Sequence, residues 1–243
     1  MSARTVALRA TGVLGELLIT AGVLLGLFVV WQLWWTDVVG ARNQAALISS
    51  LEWVTPVTPD VPRVTPEPEL PPAEAPILPE PGHGETFAIL HVPRWGADHQ
   101  APISQGVSKA DILDVLGIGH YPGTAMPGQI GNFALAGHRT TYGKPFHRAA
   151  ELEVGDPLVV RTEDHWFVYR VTESFVVLPH QVEVIAPAPG RPGEEPTMAM
   201  LTITTCHPMF SARERFIVHS ELEQWLPVSE GAPAALDEVP PEE

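Results

Sequence analysis

The chain has 243 residues, 45% of them hydrophobic, with 14 Lys and Arg against 29 Asp and Glu. The net charge of −15 argues against a nucleic-acid partner, because a surface that tracks phosphates needs an excess of cations. A single cysteine, Cys206, rules out an internal disulfide framework and any multi-cysteine zinc or iron–sulfur site.

The acidity is confined to flanks. Residues 1–50 carry a charge of +1, residues 51–85 carry −6, residues 86–220 only −3, and residues 221–243 carry −7. Leu17–Trp35 reads LLITAGVLLGLFVVWQLWW, with Gln32 its one strongly polar side chain. As a helix this run would be about 28 Å long, close to the ~30 Å hydrocarbon core of a bilayer. Trp31, Trp34 and Trp35 cluster where indoles favour the membrane boundary, and Arg4 and Arg9 precede the span. The expectation is a single uncleaved anchor at 17–35. Residues 1–16 would then be cytoplasmic and the remainder extracytoplasmic.

From Thr55 to Pro81 there are ten prolines in 27 residues. Proline fixes φ and removes a backbone donor, so residues 36–85 are expected to form an acidic, extended stalk that joins no sheet. The stretch 228–243, containing APAALDEVPPEE, is expected to be a disordered acidic tail on the same compositional grounds.

The body, residues 86–227, has mostly two-residue periodicity. Strands are expected at 86–92, 132–138, 156–162, 165–178, 197–205 and 215–222, separated by Pro-Gly and Gly-Asp-Pro turn signals. One helix is expected at 108–116, with Ser108 and Asp111 as a capping box. Many short strands and few helices point to a mainly β fold, a closed or nearly closed barrel.

Cys206 follows LTITT and precedes His207-Pro208, so the thiol falls at a strand-to-loop transition. A lone thiol is commonly a buried small side chain, but outside a membrane an idle one risks oxidation. A reactive thiol needs an imidazole and a donor for the developing oxyanion. Among ten histidines, His138 ends the apolar run NFALAG with Gly137 leaving its ring accessible. His207 adjoins the cysteine but points to the opposite strand face. His120, before Tyr121-Pro122-Gly123, would line a cleft or cap a turn. No HxH or HxxxH pair and no DxD-type calcium loop occurs, so neither a metal nor a cofactor is expected. Arg215 and Arg213 are equally basic candidates beyond the cysteine, and composition does not choose between them.

The segment LTITTC206HPMFSARER215FIV resembles the TLxTC…R signature of sortases, and GNFALAGH138R resembles their catalytic-histidine segment. The 117–146 stretch is most similar to class E sortases of high-GC Gram-positive bacteria. The resemblance covers roughly Thr86 to Leu222 and implies an eight-stranded sortase β-barrel with few short helices, preceded by one transmembrane helix. It further implies a transpeptidase acting on LAxTG- or LPxTG-like sorting signals of surface proteins. Cys206 would form a thioacyl enzyme, His138 would act as acid and base, and Arg215, with Arg213 as fallback, would hold the oxyanion. The acceptor amine would belong to a peptidoglycan stem peptide or its lipid-linked precursor. Tyr121, Thr205 and His120 are the candidate substrate contacts, Tyr121 matching the tyrosine associated with alanine at the second motif position. Met209 departs from the basic residue frequent after CHP in the family. The competing readings are a cysteine peptidase of the same fold and an inactive, stalked wall-binding barrel. The order His before Cys weighs against papain-like wall amidases.

Overall fold

The computed structural model describes residues 3–54, 61–65 and 75–239. Helix α1 spans Ala3–Ser50. The strands are β1 (Arg63–Val64), β2 (Thr86–His91), β3 (Gln100–Gln105), β4 (Ile118–His120) and β5 (Gly131–Ala136), then β6 (Pro157–Arg161), β7 (His165–Val177), β8 (Ala199–His207), β9 (Glu214–Pro227) and β10 (Ala232–Pro233). β2 to β9 close into a barrel in the order β2-β3-β4-β5-β8-β9-β7-β6. The β3–β4 and β5–β8 pairs are parallel, and β2–β3, β2–β6, β4–β5, β6–β7, β7–β9 and β8–β9 are antiparallel. The expected eight-stranded barrel is therefore present.

The barrel interior is filled by one set of side chains from alternating positions, including Leu90, Ile103, Phe133, Leu135, Phe167, Tyr169, Leu201 and Ile203. Two strands escaped the periodicity. β3 contains Pro102, which lacks a ladder donor. It is tolerated because Pro102 pairs with β2 alone, β4 reaching only Ile103–Gln105. β4 is three residues long, too short to show a period.

Three expectations are corrected. Residues 36–50, expected to begin the extended stalk, instead continue the helix to Ser50, because no proline occurs before Pro56 and the face Gly40, Gln44, Ile48 is buried against the barrel. Among the described residues α1 is the one helix long and apolar enough to cross a membrane. The proline-rich stretch is not a free stalk where it is described: Arg63 and Val64 pair with β10, and Ala75 and Leu78 pack on the barrel core. Residues 55–60 and 66–74 of that stretch lie outside the described residues. The acidic tail is docked as far as Val239, with residues 240–243 outside the described ones. Val159, Trp166, Val168 and Leu226 form an apolar face outside the barrel, and Ala232, Ala235 and Leu236 cover it. Burying that area offsets the ordering entropy that composition alone left uncompensated.

The expected helix at 108–116 is reduced to Lys109–Leu113, with wide i→i+5 turns, and the Ser108 side chain makes no capping bond. Asp111 instead accepts a hydrogen bond from His83 Nε2 at 2.7 Å.

His120, fully buried, has its pKa pushed down to about 4, first by burial. His91 is pushed to about 3, first by burial and then by the Arg161 guanidinium. Both groups have folded pKa values below the unfolded 6.5, so the unfolded chain takes up protons first as pH falls. Their contribution is complete above pH ~6.5 and declines toward pH ~4. The unfolding free energy is expected to drop on the order of 2–4 kcal/mol from pH 7 to pH 5. Urea unfolding followed by near-ultraviolet circular dichroism reads this, and His120→Gln should flatten part of the slope. An equal midpoint at both pH values would contradict it.

Candidate active site

β8 supplies the nucleophile candidate. Its inward side chains Leu201 and Ile203 are fully buried, while its threonines tie it to β5. Thr202 donates to Asn132 Oδ1 at 2.7 Å, Thr204 to the Leu135 carbonyl at 3.0 Å, and Thr205 to the Gly137 carbonyl at 2.8 Å. These bonds lock the parallel register in which Ala136 lies beside Thr204. Past the end of β5, His138 lies between Gly137, which is bonded to Thr204 and Thr205, and Arg139, whose side chain reaches the Cys206 carbonyl. On the other flank, Cys206 is the antiparallel partner of Arg215 on β9. His138 just past β5, Cys206 near the end of β8 and Arg215 at the start of β9 thus belong to three neighbouring strands and their extensions at one end of the barrel.

Cys206 is a free, half-buried thiol. The His138 side chain is 16% exposed, and its Nε2 donates to Asp114 Oδ1 at 2.6 Å. The Tyr142 ring lies 5.0 Å from the imidazole, inclined by 32°. Arg215 is half-buried and donates from Nη1 to the carbonyls of Ala212 (3.1 Å) and Glu214 (2.9 Å), its carbonyl contacts holding the guanidinium beside the strand end. Arg213 is exposed in the connection before β9 and has no cross-strand pairing with the cysteine. The geometry therefore separates the two arginines that composition left equal.

Tyr121 is half-buried, and its hydroxyl lies 3.1 Å from Thr204 Oγ1, two residues before Cys206. The other two expected substrate contacts are corrected. Thr205 is buried with its hydroxyl spent on Gly137, so it braces β8. His120 has no solvent access: Nδ1 lies 2.6 Å from Gln105 Oε1, and Nε2 lies 2.9 Å from the Thr124 hydroxyl and 3.1 Å from the Ala125 carbonyl. Both ring nitrogens are occupied by protein groups, which gives His120 a structural role, and burial lowers its pKa.

Sequence reasoning missed three residues. Asp114 and Tyr142 touch the His138 ring from separate loops, and nothing in their local sequence announces it. Arg139 is 5% exposed, and its Nη1 donates to the Cys206 carbonyl (3.2 Å) and to His207 Nδ1 (2.9 Å). Its guanidinium lies 5.3 Å from the Phe216 ring centre. Burial lowers the Arg139 pKa, and the nearby Cys206 acts in the opposite direction. The signal for Arg139 was available: it directly follows His138, a charge at the end of a buried strand. His207 is occupied by this arginine and by stacking on Phe216.

The sequence model of the sortase domain family matches residues 90–223. The chain is 39% identical to sortase SrtE1 of Streptomyces coelicolor over 235 residues, covering 93% of this chain and 61% of that protein. It therefore spans less than two thirds of the length of that relative. Among solved structures, the SrtA sortase from Actinomyces oris superposes with a TM-score of 0.64 at 40% identity, covering 70% of this chain and 97% of that one. Sortase E1 from Streptomyces coelicolor, solved with a tripeptide in the active site, gives a TM-score of 0.59 at 41% identity, covering 63% and 97%. With the family match spanning most of the barrel that carries His138, Cys206 and Arg215, the chain belongs to the sortase family and resembles its class E members.

Proposed function

We propose that the chain is a membrane-anchored cysteine transpeptidase that cleaves an LAxTG- or LPxTG-like sorting signal between Thr and Gly and transfers the acyl part to a cell-wall peptide amine. The pairing of Cys206 with Arg215, with His138 on the extension of the strand next to β8, supports this reading. Cys206 Sγ attacks the Thr carbonyl carbon, and the C–N bond breaks as His138 gives a proton to the departing glycine amine. The resulting thioester is attacked by the acceptor amine, whose proton returns to His138, and Cys206 leaves as thiolate. Arg215 offers a permanently charged, planar fork of donors to the carbonyl oxygen as it gains charge. Tyr121, bonded to Thr204, would form the wall of the groove that meets the second motif residue.

In this reading Leu17–Trp35 crosses the membrane once, with Arg4 and Arg9 keeping the N-terminus cytoplasmic and the barrel outside. The acceptor would be a peptidoglycan stem peptide or its lipid-linked precursor, and the donors surface proteins that carry the signal.

The test is incubation of the full chain with LAxTG and LPxTG peptides and an excess of amine, followed by mass spectrometry. The expected product joins the peptide through its threonine to the amine. Acid product alone, with ample acceptor present, would replace transpeptidation by hydrolysis. No cleavage of either peptide would count against the proposed donor.

A further inference from the structure

We infer that the turns of α1 beyond its apolar run, Asp37 to Ile48, are a positioning element for His138, so that the anchor helix shapes the active site as well as locating it. This rests on the reading of His138 as the acid–base group.

Helix α1 touches both segments that hold the His138 ring. On one side lies the loop carrying Tyr142. A Cβ added at Gly40 would collide with the Tyr142 carbonyl carbon and the Gly143 nitrogen, so helix and loop backbones are in direct contact and only glycine permits it. Gln44, 8% exposed, donates from Nε2 to the Tyr142 carbonyl at 3.1 Å. Asp37 pairs with Lys144 at 2.8 Å. On the other side the Gln44 amide lies over Gly117, where an added Cβ would come 3.0 Å from Gln44 Cδ. Gly117 ends the short segment that begins at Asp114, the carboxylate bonded to His138 Nε2. One side chain of α1 therefore contacts the loop that stacks on the imidazole and the turn that hydrogen-bonds it.

The loop needs such support. Tyr142 (φ 57°) and Lys144 (φ 38°) both adopt the left-handed region, which L-residues avoid. Conformations of this kind persist only where surroundings impose them, and the contacts from Asp37, Gly40 and Gln44 fall on these two residues and the glycine between them. Released from α1, the loop would relax, Tyr142 would leave the imidazole face, and His138 would lose a fixed orientation. Proton transfer depends steeply on such alignment.

The experiment uses the full chain in lipid nanodiscs and compares wild type with Gly40→Val, Gln44→Ala and Gly22→Ala, the last at a helix position with nothing within 4 Å. Three readouts are taken: kcat and KM for donor peptide, the carbon-13 histidine titration of His138, and the thermal midpoint of the barrel. Gly40→Val is expected to lower kcat by about 10-fold to 100-fold with KM within about twofold, and to move the His138 titration. Gln44→Ala should do the same more weakly, and Gly22→Ala should match wild type. The barrel midpoint should stay within about 3 °C throughout. Wild-type kcat and titration in both Gly40→Val and Gln44→Ala would overturn the inference. So would a kcat loss that merely follows a lost fraction of folded barrel, with His138 titrating normally in the folded remainder. Should wild type itself join no peptide to amine, the proposed function fails, while the His138 titration still decides the coupling.

Discussion

Replacing Cys206 with alanine is expected to remove peptide–amine joining by at least about 10⁴-fold, because neither His138 nor Arg215 can form the acyl intermediate in its place. The substitution should leave the fold intact. Cys206 is half-buried at a strand end, and losing one sulfur there costs on the order of 1 kcal/mol or less. Arg215 and Tyr121 do not depend on the thiol for their contacts, so donor peptide should bind the variant with nearly wild-type affinity. The checks are mass spectrometry of products, isothermal titration with the uncleaved peptide, and a melting curve. An alanine variant that still forms the amine adduct would remove Cys206 from the chemistry and the mechanism with it.

The second large effect is expected for His138→Gln, with a loss in kcat of about 10²–10⁴-fold, the usual range for a positioned acid–base group. Glutamine can keep a donor near Asp114 but cannot cycle a proton. The loss should therefore fall on kcat more than on KM, and the pH–rate profile should lose the limb belonging to the imidazole. Formation of the thioester and its aminolysis each need a proton moved, so both half-reactions should slow. A variant with the wild-type pH profile would assign that limb to another group.

These expectations depend on neighbours with unequal visibility in the amino-acid order. The Cys206 and His138 motifs were legible because each combines a strand-forming run with an abrupt end, TITTC-His-Pro and NFALAG-His. Arg215 was legible only jointly with Arg213. Strand pairing distinguishes their positions, since Arg215 faces Cys206 across the ladder and Arg213 is exposed. Tyr121 was singled out for its place before a turn, and its bond to Thr204 brings it near the nucleophile. His120 and Thr205 looked like site residues because polar side chains beside a motif read as functional. Packing turned both inward, where hydrogen bonds to Gln105, Thr124 and Gly137 occupy them.

By itself the chain's order of residues determined the apolar helix, the dominant two-residue period and the sequence of His, Cys and Arg. Each is a local pattern: a continuous hydrophobic run, an alternation, or a motif a few residues long. Tertiary structure decided how far α1 extends, where the acidic tail goes, and that Asp114, Arg139 and Tyr142 surround the catalytic candidates. Those outcomes rest on surfaces made by distant segments. The tail is ordered because Trp166 and Val168 face outward beneath it, and α1 continues because Tyr142 and Gly117 leave room for Gly40 and Gln44. Composition reports what a segment costs to order, and only its neighbours in space determine whether burial and hydrogen bonding offset that cost.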